Sequence, residues 1–252
     1  MIPAPAVVLW HDVECGFYTA DLPLWREFAA EADGPILEIG CGTGRVTLDL
    51  AGRGHEVTGI DSEPALVDEL RRRARRMMAA DRASAANVRA VAGDVRALAL
   101  GERFALAIAP MQVVQLLGGV AGRAAMLAAV SRHLLPAGRL AVALVDVADA
   151  LVDDGAGPPL PDVLEREGWV LSSRPLVIRV EAGAVAMDRL RQLVSPGGDL
   201  SEDLATIRLE ALRPEELEDE ATAAGLRPAG RRSIPATSDH VGSEVVILER
   251  EP

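Results

Sequence analysis

Between Pro35 and Asp146 five short apolar runs alternate with longer amphipathic ones, and few architectures accept that rhythm. The runs are PILEIG (35–40), HEVTGID (55–61), VRAVAGD (88–94), FALAIAP (104–110) and GRLAVALVD (138–146), separated by helix-like segments at 43–53, 63–83, 112–117 and 122–135. Nearly continuous apolar strands with helices between them belong in a parallel sheet covered on both faces. The expected class is α/β, doubly wound. The segment YTADLPLWREFAAEA (18–32) carries helix formers and an apolar stripe, and reads as a leading helix. Beyond Asp146 the rhythm breaks. DDGAGPPLP is a loop by its Gly and Pro content, and 169–173, 175–181, 184–193 and 205–211 alternate or carry branched residues, with EAGA as a hairpin turn. They read as an antiparallel insert. RPEELEDEATAAGL then gives a helix with Pro214 in its first turn and Gly225 as its stop. The runs 226–234 and 243–249, joined by PATSDHVG, form a closing hairpin of the main sheet. The layout is therefore a helix and α/β core over 1–146, an insert or cap over 147–212, and a closing helix and hairpin over 213–252.

Composition narrows the partners. With 252 residues, 49% of them apolar, the chain can bury one large core with a subdomain. Cys15 and Cys41 are too few for a disulfide framework and belong to no metal-type cluster, so a reducing cytoplasm is the expected compartment. No basic region precedes a long apolar run at the N-terminus, and no uncharged stretch reaches the roughly 18 residues of a spanning helix. No targeting segment, membrane partner or metal is expected. The formal charge is −12, with 38 acidic against 26 basic residues. Nucleic-acid binding would need a basic stripe that overcomes this field. The one candidate, RRRARRMM at 71–78, reads as the solvated face of a long helix. Every basic side chain other than histidine is arginine. The absence of lysine removes P-loop NTPases, Schiff-base enzymes and pyridoxal-phosphate enzymes together, since each needs an amine that deprotonates or a compact ammonium on a phosphate.

The stretch ILEIGCGTGRV (36–46) holds Gly40, Gly42 and Gly44 between the first strand and its helix. Glycine serves there where a side chain would collide with a ligand or where φ must be positive. The dinucleotide loop, GxGxxG, would place its third glycine at position 45, which is Arg45. The spacing is GxGxG. Glu38, two residues before the first glycine, sets a carboxylate where a pyrophosphate would otherwise sit at the helix N-terminus. It favours a cationic ligand.

LEIGCGTGRVTLDLAGRGHEVTGID resembles the first motif and second-strand acid of the class I S-adenosylmethionine-dependent methyltransferases. The likeness continues through GDV (93–95), FALAIAPMQVVQLL (104–117) and HLLPAGRLAVAL (133–144), and so covers about 18–146. The resemblance implies a mostly parallel seven-stranded Rossmann-like sheet, with S-adenosylmethionine as donor and S-adenosylhomocysteine as product. It departs at Pro136-Ala137-Gly138, where the family usually has Pro-Gly-Gly. By the resemblance, Gly40, Gly42 and Gly44, with backbone from Cys41, line the methionine and ribose portion beside Glu38. Asp61 accepts from both ribose hydroxyls next to Ser62, and Asp94 takes the adenine amine while the Val95 amide meets a ring nitrogen. Ala109, Met111, Gln112 and Gln115 line the pocket beside the transferring methyl. Tyr18 and Trp25 cover the cofactor as a lid. Two simpler readings stand beside these: Asp61 as a cap for the next helix, and Asp94 as the stabiliser of a turn.

Methyl transfer mainly needs alignment, which can supply roughly 7–11 kcal/mol, so a general base is optional for an amine or phenolate. His240, in the turn SDHV at the carboxyl edge, is the best candidate base, set against the reading of a surface histidine with no catalytic part. His11, in WHDVEC, is the other. The expected activity is O- or N-methylation of a rather apolar small molecule of secondary metabolism, with the insert as pocket roof or homodimer contact. A cofactor-binding member of the fold that transfers no methyl, a cyclase, lyase or regulatory protein, is the alternative.

Overall fold

The computed structural model describes residues 4–79, 87–146, 160–237 and 240–251. Helices α1 (Ala6–Cys15) and α2 (Leu22–Glu31) precede strand β1 (Ile36–Ile39). Alternation of strand and helix follows: α3 (Arg45–Ala51), β2 (Val57–Asp61), α4 (Pro64–Ala79), β3 (Val88–Ala92), β4 (Phe104–Ala109), α5 (Gly119–His133) and β5 (Leu134–Leu144). Four strands form the insert: β6 (Asp162–Arg166), β7 (Trp169–Glu181), β8 (Ala184–Val194) and β9 (Leu200–Glu210). Helix α6 (Pro214–Ala223) and strands β10 (Leu226–Ile234) and β11 (Ser243–Arg250) close the chain.

The main sheet runs β10-β11-β5-β4-β1-β2-β3 and is parallel except for β11, which is antiparallel to both its neighbours. Residue alternation decides which face each side chain covers. Leu37 and Ile39 of β1, with Ala107 and Ala109 of β4, pack with Met126, Leu127 and Val130 of α5 and Leu217 of α6. Ile36, Leu106 and Ile108 point the other way, to Trp25 and Phe28 of α2 and Val46 and Leu50 of α3. Fully burying each such side chain contributes about 1.5–3 kcal/mol, and the two layers fix the strand ends whose loops form the site. At the departing turn, Ala137 adopts φ 58°, the left-handed conformation that a glycine takes without strain.

The second sheet, β6-β7-β8-β9, is wholly antiparallel. Its inner face meets α1: Leu171 and Leu193 pack on Leu9 and Val13, and Arg191 holds Glu14 at 2.7 and 2.8 Å. Burial and these arginine and Ser173 contacts act oppositely on Glu14, and its carboxyl lies below the usual range. The expected segment 112–117 is a 3₁₀ turn, Val113–Leu116, rather than an α-helix. The leading helix starts at Leu22 instead of Tyr18. Part of the 71–78 stripe is neutralised within the molecule, since Arg71 pairs with Asp68, Arg72 with Glu69, and Arg73 with Glu69 and Asp12. Among the described residues no helix is long and apolar enough to cross a membrane.

Candidate functional site

A cavity of about 380 Å3 opens at the carboxyl ends of β1, β2, β3 and β4, where a doubly wound sheet offers its crevice. Glu38, Gly40 and Cys41 come to it from β1, Asp61 and Ser62 from β2, Asp94 and Val95 from β3, and Met111 and Gln112 from β4. Helix α1, which sequence periodicity did not reveal, adds His11 and Cys15 from above. Met111 takes φ 58°. Strained non-glycine residues of this kind are held only where the surroundings over-determine them, commonly at sites.

The three glycines are required by the protein's own packing. All have positive φ: Gly40 69°, Gly42 52° and Gly44 97°. A Cβ on Gly40 would meet Val113 Cγ2 at 2.5 Å, one on Gly42 would meet His11 Nε2 at 2.1 Å, and one on Gly44 would meet Leu70 Cδ1 at 2.3 Å. Gly40 borders the cavity, whereas Gly42 and Gly44 back onto α1 and α4 instead of lining it.

Asp61 and Asp94 serve local structure and face the cavity at once. Asp61 Oδ2 accepts from the Gly42 amide at 2.9 Å and its Oδ1 from the Glu63 amide at 2.9 Å, leaving lone pairs on both oxygens. Asp94 Oδ1 accepts from the Arg96 amide at 2.9 Å, capping a 3₁₀ turn, and its carboxylate also pairs with the Arg96 guanidinium. Those side-chain bonds from Arg96, together with its amide, hold the Asp94 carboxyl below the usual range.

Glu38 is fully enclosed, its carboxyl bonded to the Thr47 hydroxyl. Burial pushes it up to about 8, against the opposing pull of Thr47 and Arg45. The folded protein therefore retains a proton that the unfolded chain releases above about pH 4.5, so this group makes the fold less stable as pH rises from there to 8. Within that window wild type should lose up to about 1.4 kcal/mol per pH unit relative to Glu38→Gln. Thermal melts of both proteins from pH 5 to 9 measure the difference, and parallel curves would refute the assignment.

Besides Gly42 and Gly44, five expected contacts are placed elsewhere. Trp25 is fully buried in the α2 core, its Nε1 donating to Asp21 at 2.8 Å, and Tyr18 lies in the same cluster under the Arg45 guanidinium, 5.3 Å from the ring centroid. Neither lines the cavity; α1 borders it instead, held against the insert by the Glu14–Arg191 pair. Gln115 is buried, its side chain donating to the Val145 and Glu210 carbonyls and accepting from the Val145 amide, which ties the 3₁₀ turn to β5 and β9. Ala109 faces α5 in the core. His240 stacks on Tyr18, ring centroids 4.7 Å apart, rather than lining the cavity. His133 accepts the Leu100 amide at 2.9 Å.

Sequence reasoning did not assign Arg45, Cys15 or Arg96. Arg45 was signalled by its place at the missing third glycine. It lines the cavity while gripping Asp21 at 2.6 and 2.7 Å and the Tyr18 carbonyl at 2.9 Å. Because Arg45 and Arg96 are each tied to an aspartate, neither is left over for a phosphate. The remaining groups are acceptors, and they suit a ligand with hydroxyls near Asp61 and an amine near Asp94. Among the described residues no group of three His, Cys, Asp or Glu is placed to hold a metal ion.

Residues 36–138 match the family model described as a methyltransferase domain. The fold is similar to the CcbJ methyltransferase from Streptomyces caelestis, at 24% identity over 94% of this chain and 98% of that one, with a TM-score of 0.68. It is similar to DesVI of Streptomyces venezuelae, at 20% identity over 97% and 96%, with a TM-score of 0.72. It also resembles CalS10, an amino pentose methyltransferase from Micromonospora echinaspora involved in calicheamicin biosynthesis, at 23% identity over 96% and 91%, with a TM-score of 0.63. No curated protein matches the chain in sequence.

Proposed function

We propose that this chain, an S-adenosylmethionine-dependent methyltransferase by its domain at residues 36–138, methylates an amine or hydroxyl on a small molecule of secondary metabolism, with an amino sugar as the leading class. The observation that carries the reading is the acceptor set: three carboxyl groups, Glu38, Asp61 and Asp94, converge on one cavity whose two arginines are already paired. When bound, the cofactor supplies a methyl group already activated as a sulfonium. The protein's part is to hold and orient. Glu38, held protonated and bonded to Thr47, borders the methionine end, Asp61 offers its remaining lone pairs to ribose hydroxyls, and Asp94 with the Val95 amide borders the adenine end. Gly40, Cys41, Ser62, Met111 and Gln112 complete the wall. Pro110, Val113, Leu116 and Leu117 add an apolar side, which excludes water and strengthens each polar contact.

The sugar class draws support from three neighbours of the same fold: an amino pentose methyltransferase, a sugar N-methyltransferase and a glycopeptide N-methyltransferase. Transfer of label from methyl-labelled cofactor to a panel of amino sugars, amines and phenols tests it. Label on an amino sugar is the expected result. Tight cofactor binding with no transfer to any acceptor would move the chain to a non-methylating role. A second copy of the chain on the outer face of the insert accounts for the exposure of Val163, Val177, Leu200 and Leu204, and light scattering of the purified protein should report a dimer.

A further inference from the structure

Gly40, Gly42 and Gly44 all take positive φ, and glycine is the residue with the most freedom to lose on ordering. The loop therefore takes its shape from what packs against its back. Helix α1 closes on Gly42 through His11 and helix α4 on Gly44 through Leu70, each near enough to exclude a Cβ. Between them lies Thr43, only 1% exposed. Its hydroxyl donates to Asp12 Oδ1 of α1 at 2.8 Å and accepts from Arg73 Nη1 of α4 at 3.1 Å, with His11 Nδ1 3.4 Å away. Arg73, from the basic run at 71–78, also pairs with Asp12 and donates from Nε to Glu69 at 2.7 Å. One guanidinium thus spreads its fork over a hydroxyl and two carboxylates, a geometry that a lysine ammonium does not reproduce.

We propose that Thr43, Asp12 and Arg73 are positioning residues of the cofactor site: they pin the loop one residue past Gly42, so that the Gly42 amide stays aimed at Asp61. The inference rests on the methyltransferase reading. None of the three lines the cavity, and they act through Asp61, which does. The Gly42 amide donates to Asp61 Oδ2 at 2.9 Å, and that bond sets the direction of the carboxylate's remaining lone pairs. Gly42 itself, at φ 52° and without a side chain, does not resist rotation. Its amide direction is decided by its neighbours. On one side the Cys41 amide is fixed to the Ile60 carbonyl at 3.1 Å. On the other the anchor is the Thr43 hydroxyl, seated on Asp12 and Arg73. Asp12 can stay buried in that place because the guanidinium supplies its counter-charge. Helix α1 is in turn held on the insert by Glu14 and Arg191, so the loop is braced from the cap as well as from α4.

Two measurements decide the proposal. Thr43→Val removes the hydroxyl and keeps the side chain's shape, whereas Thr43→Ser keeps the hydroxyl. Hydrogen exchange of the free protein should show the Gly42 amide exchanging at least about tenfold faster in Thr43→Val, with the amides of β1 and β4 unchanged, and at the wild-type rate in Thr43→Ser. In calorimetry, Thr43→Val and Arg73→Lys should each bind S-adenosylhomocysteine about 10–100-fold more weakly, the worth of one hydrogen bond to a charged group, and Thr43→Ser should bind as wild type does. Added to Asp61→Ala, Thr43→Val should weaken binding by less than about threefold further, because the group it positions is already gone. Undisturbed Gly42 exchange, exchange that quickens across the whole sheet, wild-type affinity in Thr43→Val or Arg73→Lys, a serine variant as weak as the valine one, or losses that multiply in the double variant would overturn the proposal. Failure of the wild type to bind S-adenosylhomocysteine would instead sink the methyltransferase reading, and the exchange rates would still judge the junction.

Discussion

Asp61→Ala should weaken S-adenosylhomocysteine binding by 10²–10⁴-fold in calorimetry. Each Asp61 oxygen already accepts one loop amide, from Gly42 or Glu63, and keeps a further lone pair, which the proposed function gives to one ribose hydroxyl. A hydrogen bond to a charged group contributes about 1.5–3 kcal/mol, and two lost together give that range. The substitution also frees the Gly42 amide, so the loop that seats His11 loosens. Asp61→Asn keeps one acceptor oxygen and should fall between wild type and alanine. Melting curves close to wild type would show that the loss belongs to the site. Undiminished affinity in Asp61→Ala would end the ribose assignment.

Arg45→Ala should cost about 3–5 kcal/mol of stability. The Asp21 side chain is only 1% exposed, and besides both Arg45 contacts it accepts the Trp25 indole proton. Removing the guanidinium leaves that carboxylate buried without its counter-charge, which is far more destructive than the pair is stabilising. For a chain of this size the melting temperature should drop by about 6–20 °C. The double variant Arg45→Met with Asp21→Asn, which removes both charges, should recover much of the loss, and the cycle of four melts isolates the coupling. A single variant as stable as wild type would show that the ion pair does not hold α2 against the glycine loop.

The parallel core was readable because its strands are apolar on both faces and its helices amphipathic, so period and run length separate them. Helix α1 was not. Its AVVLWHDVEC has β-branched and aromatic residues, an unremarkable apolar pattern and no side-chain cap, and it is helical because Leu9 and Val13 dock on the insert while Glu14 meets Arg191. Strand β6, five residues with Asp and Glu in it, exists by pairing with β7. The runs 169–173 and 175–181 read as separate in sequence, yet β7 is continuous, with a register shift between Pro175 and Val177 that absorbs the missing amide. In the site, Gly40, Asp61 and Asp94 were legible because strand ends impose their positions. Tyr18 and Trp25 were misplaced because an aromatic residue near a cofactor loop and one in a core read alike in sequence. The sequence favoured His240 over His11 because its turn was expected at the carboxyl edge, yet of the two only His11 lines the cavity.

What the sequence determined by itself is the order of strands and helices in the α/β core and the acids at three strand ends, since hydrophobic period and backbone geometry act over a few residues. Tertiary structure alone decided which side of the glycine loop is ligand and which is protein, and which histidine overlooks the cavity. Those depend on contacts between residues as far apart as Glu14 and Arg191, where packing and ion pairing act without any local trace in the chain.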